Sequence, residues 1–174
     1  MKQVQEPCLL DVLWDVTKPT WAPSDQQLQS WVLAAMQAGL GGAMPTAGVE
    51  VSLLLTDASE ICRLNREYRQ VDKATNVLSF PAQTLVEDQR TLMGDLVICP
   101  SVVEAEALTQ SKLPLIHLTH LVIHGVLHLV GYDHIEDADA EQMESIEINL
   151  MASLGYGNPY ADALGINSEE SKRA

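Results

Sequence analysis

The run His124-Gly125-Val126-Leu127-His128-Leu129-Val130-Gly131-Tyr132-Asp133-His134 constrains this chain more than any other stretch. Two imidazoles four residues apart lie on one face of a helix, about 6 Å apart along its axis. At that spacing His124 and His128 can reach one metal ion. Gly131 then offers a helix stop, because glycine takes a left-handed turn at little cost. The turn can bring His134 back as a third ligand. Three neutral imidazoles with an open fourth position make a catalytic zinc arrangement, whereas structural zinc sites are closed.

His117 and His120 share the helical stripe of His124 and His128. His120 and His128 are about 12 Å apart along the axis. Zinc–nitrogen bonds are only about 2.0–2.1 Å long, so a straight helix cannot supply all three donors. The third ligand must come from beyond the helix, and His134 is the candidate; His117 and His120 are read as core or supporting residues. Imidazole donors suit zinc, while spacing alone leaves nickel, copper and iron open. Asp133 either orients a ligand histidine or serves as a turn residue.

A length of 174 residues fits one domain, read here as a metal-dependent hydrolase domain over 1–157 with a flexible tail over 158–174. Cys8, Cys62 and Cys99 are widely spaced and form no CxxC, which reads as three buried, reduced thiols in a cytoplasmic protein. The N-terminus lacks the apolar core of a signal peptide. The apolar stretch 113–131 carries four histidines, so a buried amphipathic helix is expected there and no membrane span. The formal charge of −14 argues against a general nucleic-acid binder. Yet Arg63, Arg66, Arg69 and Lys73 cluster, either as a local positive site or as a solvated helix face.

The pattern along the chain predicts strands over Cys8–Val16, Val49–Thr56, Asn76–Phe80 (ending at Pro81) and Asp95–Ile98. Gln83–Met93 reads as a polar loop. Helices are predicted from the Ser24 capping box to Leu40, from the Asp57 cap to Arg69, and from a Ser101 cap to Gln110. Two more run from Pro114 to near Gly131 and from Ala138 to Leu154. The fold class is α+β: a sheet of about four strands packed with about five helices, with the zinc site on a central helix and the turn after it.

A zinc ion on three histidines lowers the pKa of its water toward ~7 and favours hydrolysis. The spacing matches the zinc-protease pattern HExxHxxGxxH except that Gly125 stands where the basic Glu would be. Gly125 cannot take a proton, and it is expected to leave a bare patch of helix that admits a bulky substrate group. Peptide hydrolysis needs a base to return a proton to the amine. Phosphodiester hydrolysis relies more on positive charge around the phosphoryl oxygens, and the basic cluster contains candidates for it.

On these residues the chain resembles the YbeY family of bacterial endoribonucleases, whose signature has the form HGxLHLxGYDH. The stretch from Leu64-Asn65-Arg66-Glu67-Tyr68-Arg69 through Thr75-Asn76-Val77-Leu78-Ser79-Phe80-Pro81 agrees, as does Gly94-Asp95-Leu96-Val97-Ile98. The resemblance covers residues 50 to 160. Ala74 and Asn76 depart from it, where many members carry Pro and Asp.

The resemblance implies one Zn2+ per chain on His124, His128 and His134, and a catalytic or RNA-binding Arg69. It implies single-strand-specific RNA cleavage, 3′-end maturation of 16S rRNA and ribosome quality control. Small ribosomal subunit proteins and assembly factors would be partners. Arg69 suits a phosphate clamp, since its guanidinium engages two oxygens and stays charged. The competing readings are a non-catalytic ribosome assembly factor with a structural zinc, and a zinc peptidase.

Overall fold

The computed structural model describes residues 6–86 and 89–161. In chain order the elements are β1 (Cys8–Trp14), α1 (Asp25–Gly39), β2 (Val49–Leu55), α2 (Ala58–Arg69), β3 (Val77–Leu85) and β4 (Thr91–Ile98). The helices α3 (Pro100–Thr109), α4 (Pro114–Leu129) and α5 (Asp137–Ser153) follow. The four strands form one sheet in the order β1-β2-β4-β3. β1, β2 and β4 run parallel, and β3 pairs antiparallel with β4. This is the α+β class expected from the element pattern.

Local chemistry accounts for most boundaries. Ser24 and Gln27 form a reciprocal capping box at the start of α1. The Asp57 carboxylate accepts from the Glu60 amide and opens α2. α3 differs from expectation. Its N-cap is Cys99, with Pro100 in the first turn and no side-chain cap, because a proline with preset φ starts a helix without Ser101.

β3 runs through Pro81 to Leu85, and β4 starts at Thr91. The expected loop over 83–93 is therefore largely the two arms of a hairpin, although residues 87–88 lie outside the described residues. β3 is an edge strand, where a missing N–H costs no ladder bond. A register shift between Pro81 and Thr84 takes up the irregularity.

α4 occupies the centre. Leu118, Val122, Ile123, Val126, Leu127 and Leu129 are all buried in the main core with Leu28 and Met36 of α1, Leu53 of β2 and Met151 of α5. A helix apolar on nearly every side is stable only when surrounded, and α4 packs against α1, α3, α5, β3 and β4. Among the described residues no helix is long and apolar enough to cross a membrane. A smaller cluster of Ile61, Leu78, Val97 and Cys99 joins α2 to the sheet. Cys8 and Cys99 are buried free thiols, but Cys62 is only half-buried, facing Asp72.

Gly125 belongs to this packing. A Cβ there would lie 2.9 Å from Leu96 and 3.3 Å from the Ser79 hydroxyl and from Val77. The Ser79 hydroxyl donates to the Gly125 carbonyl at 3.1 Å. Gly125 is thus no bare patch open to substrate. It lets α4 sit directly on β3 and β4, and a side chain in its place would have to displace Leu96.

Candidate active site

α4 ends in a Schellman motif that builds the site. The Gly131 amide donates to the His128 carbonyl and the Tyr132 amide to the Leu127 carbonyl, with Gly131 at φ +101°. The reversal aims the Tyr132 carbonyl back at the His128 ring, where it accepts from Nδ1 at 2.8 Å. The Tyr132 hydroxyl donates to the Gly39 carbonyl at 3.1 Å, fastening the turn to α1. Asp133 accepts from the His134 amide at 2.7 Å, the behaviour of a turn residue. The chain then carries His134 back beside the helix, with its ring 5.7 Å from that of His124 and 5.1 Å from that of His128.

His124, His128 and His134 offer ligand atoms all within 4.8 Å of one another. The Nε2 atoms of His124 and His128 are 3.1 Å apart. Two donors on one tetrahedral zinc sit about 3.3 Å apart, from bonds of about 2.0–2.1 Å. The donor chemistry fits a cation as well. A carbonyl can only accept, so His128 carries its proton on Nδ1. His124 Nδ1 faces Glu147 Oε1 at 2.6 Å, and a carboxylate likewise asks for the proton there. Both Nε2 atoms then present lone pairs to each other, a contact that a cation between them relieves. Burial, then the neighbouring His124, lowers the His128 pKa below its ordinary value, which keeps that lone pair available.

Behind the histidines lies a buried carboxylate. Glu147 of α5 is fully buried. Its Oε1 also faces His120 Nε2 at 3.5 Å, and its Oε2 accepts from the Tyr160 hydroxyl. Burial works to raise the Glu147 pKa, but the contacts from His120, His124 and Tyr160 outweigh it and hold it at about 2. Burial and then Glu147 push the Tyr160 hydroxyl up. His120, His124 and Glu147 form a second cluster of possible donors. Its 2.6 Å His124–Glu147 contact is a hydrogen-bond length, so the cluster reads as support for the first. His117 is spent elsewhere, with its Nε2 2.8 Å from Glu106. Asn76 donates to the same Glu106 oxygen at 3.0 Å.

Arg69 approaches from the other side. It ends α2, where the next residue, Gln70, turns left-handed. Its Nη2 donates to the Ser79 carbonyl on the β3 edge at 2.8 Å, and its guanidinium lies 5.6 Å from the Phe80 ring centre. Arg69, Asn76, Ser79 and the histidine trio line one cleft of about 560 Å³. Arg63 is paired with Glu60 and Glu67, and Arg66 with Asp72. Those two make the solvated face of α2, whereas Arg69 has no carboxylate partner among the described residues.

The family model for Endoribonuclease YbeY matches residues 16–155. The chain belongs to the YbeY endoribonuclease family. An Endoribonuclease YbeY of Idiomarina loihiensis is 49% identical over 152 residues, covering 86% of this chain and 91% of that protein. The solution structure of TM1509 from Thermotoga maritima matches this YbeY-family chain with a TM-score of 0.51 at 24% identity. The match covers 88% of this chain and 99% of that one and speaks for a shared fold.

Two residues of this YbeY-family site escaped the sequence reading. Glu147 had a signal. It lies midway between Met143 and Met151 on the buried stripe of α5, where a lone carboxylate is costly without a partner. Tyr160 had none, because it falls in the segment read as tail. Asn158–Ala161 turn back toward α5, and Tyr160 packs edge-on against the His120 ring at 5.3 Å. Residues 162–174 lie outside the described residues.

Proposed function

We propose that this chain is a zinc-dependent endoribonuclease that cuts single-stranded RNA. On this reading His124, His128 and His134 hold one Zn2+, and Arg69 engages the scissile phosphate. Its work is 3′-end maturation of 16S rRNA and ribosome quality control in the cytoplasm, alongside small-subunit proteins and assembly factors. The observation that carries the reading is that Arg69 and the histidine trio line one cleft. The family membership adds the substrate class.

The chain's own groups divide the work. His124 and His128, with Nδ1 tied to Glu147 and to the Tyr132 carbonyl, present Nε2 in fixed directions. The bound cation supplies Lewis acidity and a water acidic enough to ionise near neutral pH. Arg69 keeps its charge at any working pH, and its fork matches two phosphoryl oxygens. Its bond to Ser79 sets the guanidinium at the cleft rim before substrate arrives, which favours developing negative charge. Gly125 removes the usual base of a zinc peptidase, and the side chains of Leu96, Ser79 and Val77 crowd the place where one would stand. With a net charge of −14, the body repels polyanions that do not reach the cationic Arg69.

The test is cleavage of small-subunit precursor RNA, naked and within assembled particles, by the unmodified chain and by Arg69→Ala. The unmodified chain is expected to cut and the variant to lose cleavage while keeping its metal. Normal cutting by Arg69→Ala would remove the role assigned to the guanidinium. No cutting of either substrate by the unmodified chain would remove the nuclease reading.

A further inference from the structure

We infer that Glu147 and Tyr160 are positioning residues of the metal centre: Glu147 fixes the Nδ1–H form of His124, and the Tyr160 hydroxyl fixes Glu147. The inference rests on the proposed reading of His124, His128 and His134 as ligands.

Four contacts carry it. Glu147 Oε1 sits 2.6 Å from His124 Nδ1, while the other ring nitrogen, Nε2, faces His128. Its other oxygen receives the Tyr160 hydroxyl, so neither oxygen lacks a polar neighbour. His120 Nε2 stands 3.5 Å from Oε1 on the far side, and the His120 ring is T-stacked on Tyr160 at 5.3 Å. The carboxylate is therefore walled in by two imidazoles and a phenol.

Packing alone gives no reason for an acid here. Glu147 is fully buried on the stripe of Met143 and Met151. A leucine would fill that place without the desolvation of a carboxylate, at the expense of leaving the Tyr160 hydroxyl and His124 Nδ1–H without their acceptor. What a leucine cannot do is accept a proton from His124. Without an acceptor on Nδ1, the imidazole is free to carry its proton on Nε2, the atom that faces His128 at 3.1 Å. A protonated Nε2 cannot bind a metal. Outer partners of ligating histidines act in this way, and losing one typically weakens metal binding about 10–100-fold. Tyr160 extends the same chain of support into the turn after α5.

The experiment uses the full chain and Zn2+ as the probe. Zinc affinity is read by competition with a chromophoric chelator. The proton position on the His124 ring is read by nitrogen-15 NMR of the metal-free protein. Glu147→Leu is expected to bind zinc about 10–100-fold more weakly and to lose the Nδ1–H form of His124, with a lowered unfolding midpoint because the donors it leaves have no acceptor. Glu147→Gln, which keeps a carbonyl acceptor, is expected to recover much of the affinity. Tyr160→Phe is expected to lose a smaller factor in the same direction.

Unchanged affinity and tautomer in a folded Glu147→Leu protein would overturn the inference. So would equal losses in the Leu and Gln variants, which would mark a role in packing only. If Glu147→Leu does not fold, Tyr160→Phe decides, and unchanged affinity there overturns the inference. These failures leave the proposed function standing, because the unmodified chain binds zinc in each. Absence of zinc binding by the unmodified chain would instead overturn both.

Discussion

The two walls of the cleft are built in opposite ways. The histidine wall is rooted in the core: α4 is surrounded by it, its turn is fastened to α1, and the half-buried His124 is backed by a carboxylate with no exposure, with only His134 exposed among the three. The arginine wall is exposed and held by little more than one bond from Arg69 to the Ser79 carbonyl and the Phe80 ring beneath it. A metal site needs several donors fixed to within a few tenths of an ångström, which only a packed core supplies. A phosphate clamp needs charge and reach, which a helix end over an edge strand provides. Changes on the first wall should therefore disturb metal and fold, and changes on the second should disturb turnover alone.

The largest break in that comparison should come from His124→Ala. It removes a donor from the centre of the trio, and zinc content and RNA cleavage should both fall to background. Metal analysis beside a cleavage assay checks this. Arg69→Ala should reduce cleavage by on the order of 10²–10³ with zinc content unchanged, because no metal donor leans on it. If zinc is lost along with activity, the two walls are not independent.

Gly125→Ala tests the packing that brings α4 onto the sheet. Its methyl group would meet Leu96 at 2.9 Å, and overpacking of this kind costs about 1–3 kcal/mol. The urea unfolding midpoint should fall, and an unchanged midpoint would restore the idea of open space beside the metal.

A smaller effect separates His117 from the site. Burial outweighs the nearby Glu106 and lowers the His117 pKa from its ordinary 6.5. As pH falls through that value the unfolded chain binds a proton that the folded chain refuses, so stability should drop until the folded value is passed. Relative to the unmodified metal-free chain, His117→Gln should show a shallower loss of stability below pH 6.5, measured by chemical unfolding. Parallel pH curves would contradict this.

The smallest effect belongs to Arg63→Ala. Arg63 is tied to Glu60 and Glu67 on the exposed face of α2, and cleavage, zinc content and unfolding midpoint should stay as they are. A marked loss of cleavage would extend the phosphate-facing wall beyond Arg69.

How much of this was legible follows from range along the chain. The three imidazoles come from eleven consecutive residues, 124–134, and helix pitch with one glycine places them. The caps at Ser24 and Asp57 were legible for the same reason. Glu147, twenty-three positions from His124, becomes a partner only through the packing of α5 on α4, which no local period encodes. Arg69 shares a cleft with the trio through its bond to Ser79 on β3, the edge strand, a fact of strand order. The resemblance pointed to that residue, but its neighbours Arg63 and Arg66 carry the same local signal and face elsewhere. Pro81 misled the strand boundary because a proline forbids a central strand but not an edge one. Gly125 misled as well, since an absent side chain looks the same in sequence whether the space faces solvent or a neighbouring strand.

The account depends above all on one cation shared by the three histidines. Elemental analysis of the full chain, purified without chelator, tests this most directly when run beside His134→Ala. The expected result is about one zinc per chain in the unmodified protein and a clear loss in the variant. A chain that carries no transition metal, or a variant that retains it in full, would contradict the account.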